Sequence, residues 1–444
     1  MKLKLLIVAM VLAAAAGAAA LWIWQEQPEW TTRSPAALAE FKLGLDAEMK
    51  FYHPDAYRHF TTAIELDRDF VAAKVMLARY YEARNRRDQL IGEIARADLN
   101  QLTARERFMA RYALAVHSAI AGKPQQVLHD YLREYPEDPF GLEVRSLLVW
   151  ERQDWELAEK TYKRLLEIDP NWVRAYNHLG YIAMARGHFK EAEDLFRTYL
   201  FIAPDQANPN DSLGELLTLL GRYEEAEQAL RQAIRIKPDF CSSYEHLVQL
   251  AEISGQSEKT PALLAQAKRN QACPADKIEY LSCSAQLWRA LFAGDLAAAD
   301  QTRQSCAALT PQLPVQMQRL AVLSQRFADA EAIENKIRER VSSYAKSSHG
   351  RAEFFQADLL HMEGVRLAAL GKPSDAAARF READRLVVYW GDSQGLFKLF
   401  NLLHLSEALR RTGNQEAAAA VLNQVRAVNP NLAQRYRAGD FLIP

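Results

Sequence analysis

Four prolines, Pro136, Pro170, Pro204 and Pro238, recur every 34 residues, and small and aromatic residues repeat in step with them. On the same ruler fall Ala158, Ala192 and Ala226, then Trp155, Phe189 and Tyr223, then the pairs Gly180/Gly214 and Gly187/Gly221. A chain with this period does not build one centralised core. Each unit is a helix-turn-helix whose apolar face stays uncovered until the next unit stacks on it. The small residues mark where two antiparallel helices approach closely, and the glycine at the turn supplies a bend between them. Proline closes the unit, because a ring in place of an N–H cannot continue the hydrogen-bond ladder. The expected fold class is all-α, an α-solenoid.

The stretch from Val173 to Gln206 carries the pattern most fully. Tyr176, Leu179, Gly180, Gly187, Phe189, Ala192, Phe196 and Pro204 stand at large, large, small, turn, aromatic, small, aromatic and helix-stop positions. In these residues the chain resembles the tetratricopeptide repeat (TPR) family. The resemblance implies a right-handed superhelix of about ten helix hairpins. Repeats are expected across 37–313, with a five-residue slip after 274, and again across 357–432, followed by a tail at 433–444. Residues 314–356 fit poorly and are expected to form an irregular break with a degenerate repeat, the run from Ser342 to Gly350 reading as a loop.

A different segment precedes the repeats. Lys2 and Lys4 lead into an apolar run from Leu5 to Trp24, about as long as a helix needs to cross a bilayer. Two readings compete: a signal peptide cleaved near Ala18-Ala19-Ala20, or an uncleaved anchor over 1–24 with 25–36 as a tether. Leu21, Trp22, Ile23 and Trp24 favour the anchor, since they continue the run past the candidate cleavage point. With lysines before the run and Glu26 and Glu29 after it, the expected location is a bacterial inner membrane, single-pass, with the repeats in the periplasm. A soluble periplasmic form after cleavage is the alternative.

Charge excludes one class of partner. Lys plus Arg number 55 and Asp plus Glu 56, so the chain lacks the basic footprint of a nucleic-acid binder. No His-Glu-x-x-His, Cys-x-x-Cys or phosphate-cradling glycine loop occurs. His178 and the pair Glu245-His246 read as polar residues on a solvated groove rather than as metal or acid-base groups. The expectation is a non-enzyme without cofactor, metal or small-molecule substrate.

Binding is what the resemblance implies instead. In this family the first helix of each unit lines the concave face. The corresponding positions place Phe140, Glu143, Leu147 and Trp150 in the groove, then Arg174, Asn177, Tyr181 and Met184, then Asn208, Asp211 and Glu215, then Ser242, Glu245 and Gln249. Trp150, Tyr181 and Met184 would anchor a peptide or helix of a protein partner, with hydrogen bonds from Asn177, Asn208 and Asp211 fixing its register. The acidic residues suit a segment bearing basic or amide groups. Family members that grip a terminal carboxylate do so with a Lys, Arg and Asn cluster, of which only Arg174 and Asn177 have counterparts here. The expected function is a membrane-tethered interaction scaffold. The alternative is an accessory subunit of an envelope enzyme system, such as cytochrome maturation or polysaccharide synthesis and export.

The four cysteines fall in two consecutive units and allow three pairings. Within the hairpins that the resemblance implies, Cys241 is expected to pair with Cys273 and Cys283 with Cys306. Four buried, reduced thiols stay open as the alternative.

Overall fold

The computed structural model describes residues 29–80, 83–117, 123–151, 154–346, 351–389 and 391–435. It is α-helical, with no strand among the described residues. The chain divides into two units, 1–136 and 137–444.

The first unit contains α1 (Pro35–Met49), α2 (His53–Leu66), α3 (Val71–Ala78), α4 (Arg87–Arg96), α5 (Ala104–His117) and α6 (Pro124–Glu134). Ser34 starts α1 by accepting a bond from the Ala37 amide at 3.1 Å, with Pro35 in the first turn. Where α1 meets α2, a Cβ on Gly44 would stand 2.6 Å from the Phe60 ring, so the contact depends on glycine. Glu106, wholly buried, forms a reciprocal capping box with Thr103 at the start of α5. It also accepts from the Thr31 amide at 3.1 Å, fastening the segment before α1.

The second unit is a run of hairpins. Its helices are α7 (Pro139–Glu151), α8 (Trp155–Ile168), α9 (Val173–Ala185), α10 (Phe189–Ile202), α11 (Ala207–Leu219) and α12 (Tyr223–Ile236). There follow α13 (Cys241–Ser254), α14 (Thr260–Arg269), α15 (Ala275–Phe292), α16 (Leu296–Ser305), α17 (Pro314–Leu323) and α18 (Phe327–Lys346). The last are α19 (Arg351–Ala369), α20 (Pro373–Leu386), α21 (Gly391–Arg411), α22 (Gln415–Val428) and α23 (Pro430–Arg435). The small-to-large contact expected within each hairpin recurs: a Cβ on Gly214 would lie 2.6 Å from Leu230, and one on Gly364 2.6 Å from Phe380. Successive first helices α9, α11, α13, α15 and α17 pack side by side.

Two departures from the sequence reading have local causes. The five-residue slip is absorbed by α15, which at 18 residues is five longer than the 13-residue α9. Within the expected break and degenerate repeat at 314–356, α17 and α18 form a hairpin and residues 342–346 are helical, while the rest of the expected loop, 347–350, lies outside the described residues. The turn of that hairpin hides from a glycine search because Gln325 takes the left-handed conformation, φ 56°.

The location expected from residues 1–24 is corrected. Among the described residues no helix is long and apolar enough to cross a membrane, so a single-pass inner-membrane protein is not supported. The apolar run itself, and the tether up to residue 28, lie outside the described residues.

Candidate functional site

The face formed by α7, α9, α11, α13, α15 and α17 is knit together by polar side chains that cross from one repeat to the next. Arg174 on α9 pairs with Glu143 on α7 at 3.0 Å. Ser212 on α11 donates to Asn177 Oδ1 at 2.8 Å, and the Tyr181 hydroxyl donates to Glu215 Oε2 at 2.5 Å. On α13, Ser243 donates to Asp211 Oδ1 at 2.6 Å while His246 Nδ1 stands 3.1 Å from the same oxygen. Lys277 on α15 pairs with Glu245 at 2.8 Å, and Gln316 on α17 donates to Ser284 at 3.0 Å. Each link joins residues about one repeat apart, so the stacking that buries the apolar faces also sets the polar register.

This ladder sits in a poorly hydrated setting. Burial, with the Glu215 carboxylate beside it, pushes the Tyr181 hydroxyl well above its ordinary value. Burial likewise raises the Glu252 carboxyl. His178, stacked on the Tyr162 ring at 4.8 Å, is held neutral by burial and by Arg174, its pKa lowered to about 3.

The residues expected in the groove divide by exposure. Arg174, Asn177, Met184, Asn208, Asp211 and Glu215 are buried. Phe140, Glu143, Leu147, Tyr181, Ser242, Glu245 and Gln249 are partly exposed. The side chain of Trp150 lies outside the described residues. The reason for the burial is the chain itself: every residue of α11 from Ala207 to Leu219 is covered, and α21 packs against α11 and α9. Gly395 of α21 makes the approach possible, since a Cβ there would be 2.8 Å from Leu219. Within α11 the Nδ2 atoms of Asn208 and Asn210 are buried with no acceptor among the described residues.

Sequence reading overlooked Ser212, Ser243 and Lys277. The signal was present: positions 177, 211 and 245 are 34 apart, and their partners lie 32 or 35 residues further on, at Ser212, Ser243, His246 and Lys277.

The structure joins Cys241 to Cys273, Cα–Cα 4.9 Å, and Cys283 to Cys306, Cα–Cα 6.2 Å. Both bonds fasten hairpins whose second helices, α14 and α16, have 10 residues against 14 in α10 and α12. Among the described residues no group of three or more His, Cys, Asp or Glu is arranged to hold a metal ion.

Residues 145–207 match a family model described as tetratricopeptide repeat, and residues 210–240 match a second model of the same description. No curated protein sequence matches the chain. Among solved structures, the chain is similar to the anaphase-promoting complex hetero-tetramer Cut9-Hcn1, at 14% identity and TM-score 0.46, over 96% of this chain and 80% of that one. It is also similar to yeast Tom70, at 14% identity and TM-score 0.44, over 91% and 92%. A tetratricopeptide repeat protein from Parabacteroides merdae ATCC 43184 aligns at 16% identity and TM-score 0.42, over 61% of this chain and 98% of that one. Likenesses this low identify no partner.

Proposed function

Starting from a tetratricopeptide repeat protein, we propose that this chain is a non-catalytic scaffold that holds a protein partner against the first helices of its second unit. The observation that carries the reading is the set of partly exposed residues on either side of the covered α11, Tyr181 on α9 and Ser242, Glu245 and Gln249 on α13, of which Tyr181 and Glu245 also belong to the inter-repeat ladder. Repeats stacked at fixed spacing present such side chains at fixed spacing, which is what an extended peptide or an amphipathic helix is read by. Glu143 and Glu245 are paired with Arg174 and Lys277 and Glu215 is buried, so the surface offers hydrogen-bonding side chains rather than free acid, and the bound segment carries amide or hydroxyl groups.

The test is charge reversal on the α13 part of that set. Full-length chain with Glu245→Arg and Gln249→Arg is expected to lose its co-purifying protein partner while keeping its helical circular dichroism. An unchanged partner on a folded variant overturns the assignment.

A further inference from the structure

Three successive hairpin turns in the second unit are met by residues from the C-terminal region. Tyr389 lies over Gly187 and packs edge-on against Phe189, ring centroids 5.1 Å apart. Asn429 meets Gly221, and Arg435 meets Gly255. At the second and third turns the contacts are polar and directed. Asn429 Nδ2 donates to Leu219 O at 3.0 Å, Asn431 Nδ2 to Gly221 O at 2.7 Å, and Arg435 Nη1 to Ile253 O at 3.1 Å.

These acceptors are carbonyls at and just past the ends of α11 and α13. The last carbonyls of a helix have no partner within it and carry the negative end of its dipole, so amide and guanidinium donors suit them. Not every turn is covered in this way. Gly371 and Gly413 stand at the equivalent place in their hairpins, with φ 74° and 84°, and nothing lies within 4 Å of a Cβ built on either. Between the bonded turns, α21 lies over the inner helices, and Leu396, Leu399 and Phe400 join Met184, Leu216 and Leu219 in one apolar cluster.

We propose that α21–α23 form a releasable cover over the inner face of α9–α13, latched by Asn429, Asn431 and Arg435 onto the carbonyl ends of α11 and α13. The cover buries Met184, Leu216 and Leu219 in its apolar cluster, and its release makes that face available to a ligand. The gain for a partner rests on the protein-binding reading above; the latch does not.

The test places a single thiol beneath the cover. The chain's own described cysteines are all paired, so Leu219→Cys is the group that a maleimide labels. The latch is removed by Asn429→Asp, Asn431→Ala and Arg435→Ala together. Aspartate at 429 keeps the oxygen that accepts from the Leu432 amide at 2.8 Å and replaces the donor by a carboxylate oxygen, which the carbonyl end of α11 repels. Each lost bond releases an equilibrium by about fivefold, so labelling at 219 is expected to rise roughly a hundredfold. Leu230→Cys, buried between α11 and α12, is the control and should keep its rate. A rise below about tenfold at 219, or an equal rise at 230, overturns the cover. Because no partner enters the labelling, the result is independent of the binding reading. Release of the latch without any gain in affinity for the co-purified partner would count against that reading alone.

Discussion

Gly221→Ala and Gly413→Ala form a matched pair that isolates the C-terminal docking from ordinary backbone strain. Both glycines close a hairpin in the left-handed region, φ 75° and 84°. An alanine there costs about 1–2 kcal/mol at either site. Only at Gly221 does the new methyl also run into Asn429, whose amide bonds Leu219 O at 3.0 Å and whose oxygen accepts from the Leu432 amide at 2.8 Å. Losing two such bonds adds about 2 kcal/mol, or roughly thirtyfold in the local opening equilibrium. Long repeat arrays seldom unfold as one two-state unit, so the assay is native-state hydrogen exchange followed helix by helix. Gly221→Ala should lower the opening free energy of α23 and the end of α11 by about 3–4 kcal/mol, against about 1–2 kcal/mol around the 413 turn for Gly413→Ala. Equal losses at the two sites would refute the argument that the docked residues bear on the turn.

Arg366→Met strands Glu334, which is wholly buried and bonded by Arg366 at 2.8–3.0 Å and by Gln318 at 3.0 Å. Native-state hydrogen exchange in α18 and α19 should show a loss of about 3–5 kcal/mol, most of it recovered when Glu334→Met is added. His178 and His361 are each held neutral to about pH 3 by burial, whereas an unfolded imidazole charges below about 6.5. Both histidines bind fewer protons when folded, so stability falls as pH drops through this window, by about 1.4 kcal/mol per pH unit for each. His178→Phe, which keeps a ring against Tyr162, should shallow the slope measured by thermal unfolding between pH 6 and 4. Reduction of the disulfides, which close loops spanning 32 and 23 residues, removes about 3.5 kcal/mol each on the chain-entropy account. Exchange protection should then fall in α13–α16 and persist in α7–α12; a uniform loss would show that the bonds do not act locally.

The period of 34 was legible because it is written in residues with one structural use each. Gly180, Gly214 and Gly364 permit a helix approach, and Phe196, Leu230 and Phe380 fill the space opposite. The hairpin of α17 and α18 was hidden by Gln325, and that of α1 and α2 was blurred by Phe51 at φ 60°, because a side chain in a left-handed turn leaves no mark in composition. The register of the links between repeats was partly legible, since residues 177, 211 and 245 lie on the first helices and each bonds the next repeat. What covers them was not. The bonds from Asn429, Asn431 and Arg435 join residues 182 to 210 apart, and asparagine and arginine near a chain's end look the same whether they face solvent or a helix terminus.

A photo-reactive amino acid placed at Gln249, on the inner face, or at Phe201, 86% exposed on α10, tests the scaffold account most directly. Irradiation of the full-length chain in intact cells should yield a protein adduct from position 249 and none from 201. Adducts from 201 alone would mean that partners are held by the second helices, and the inner-face account would fall.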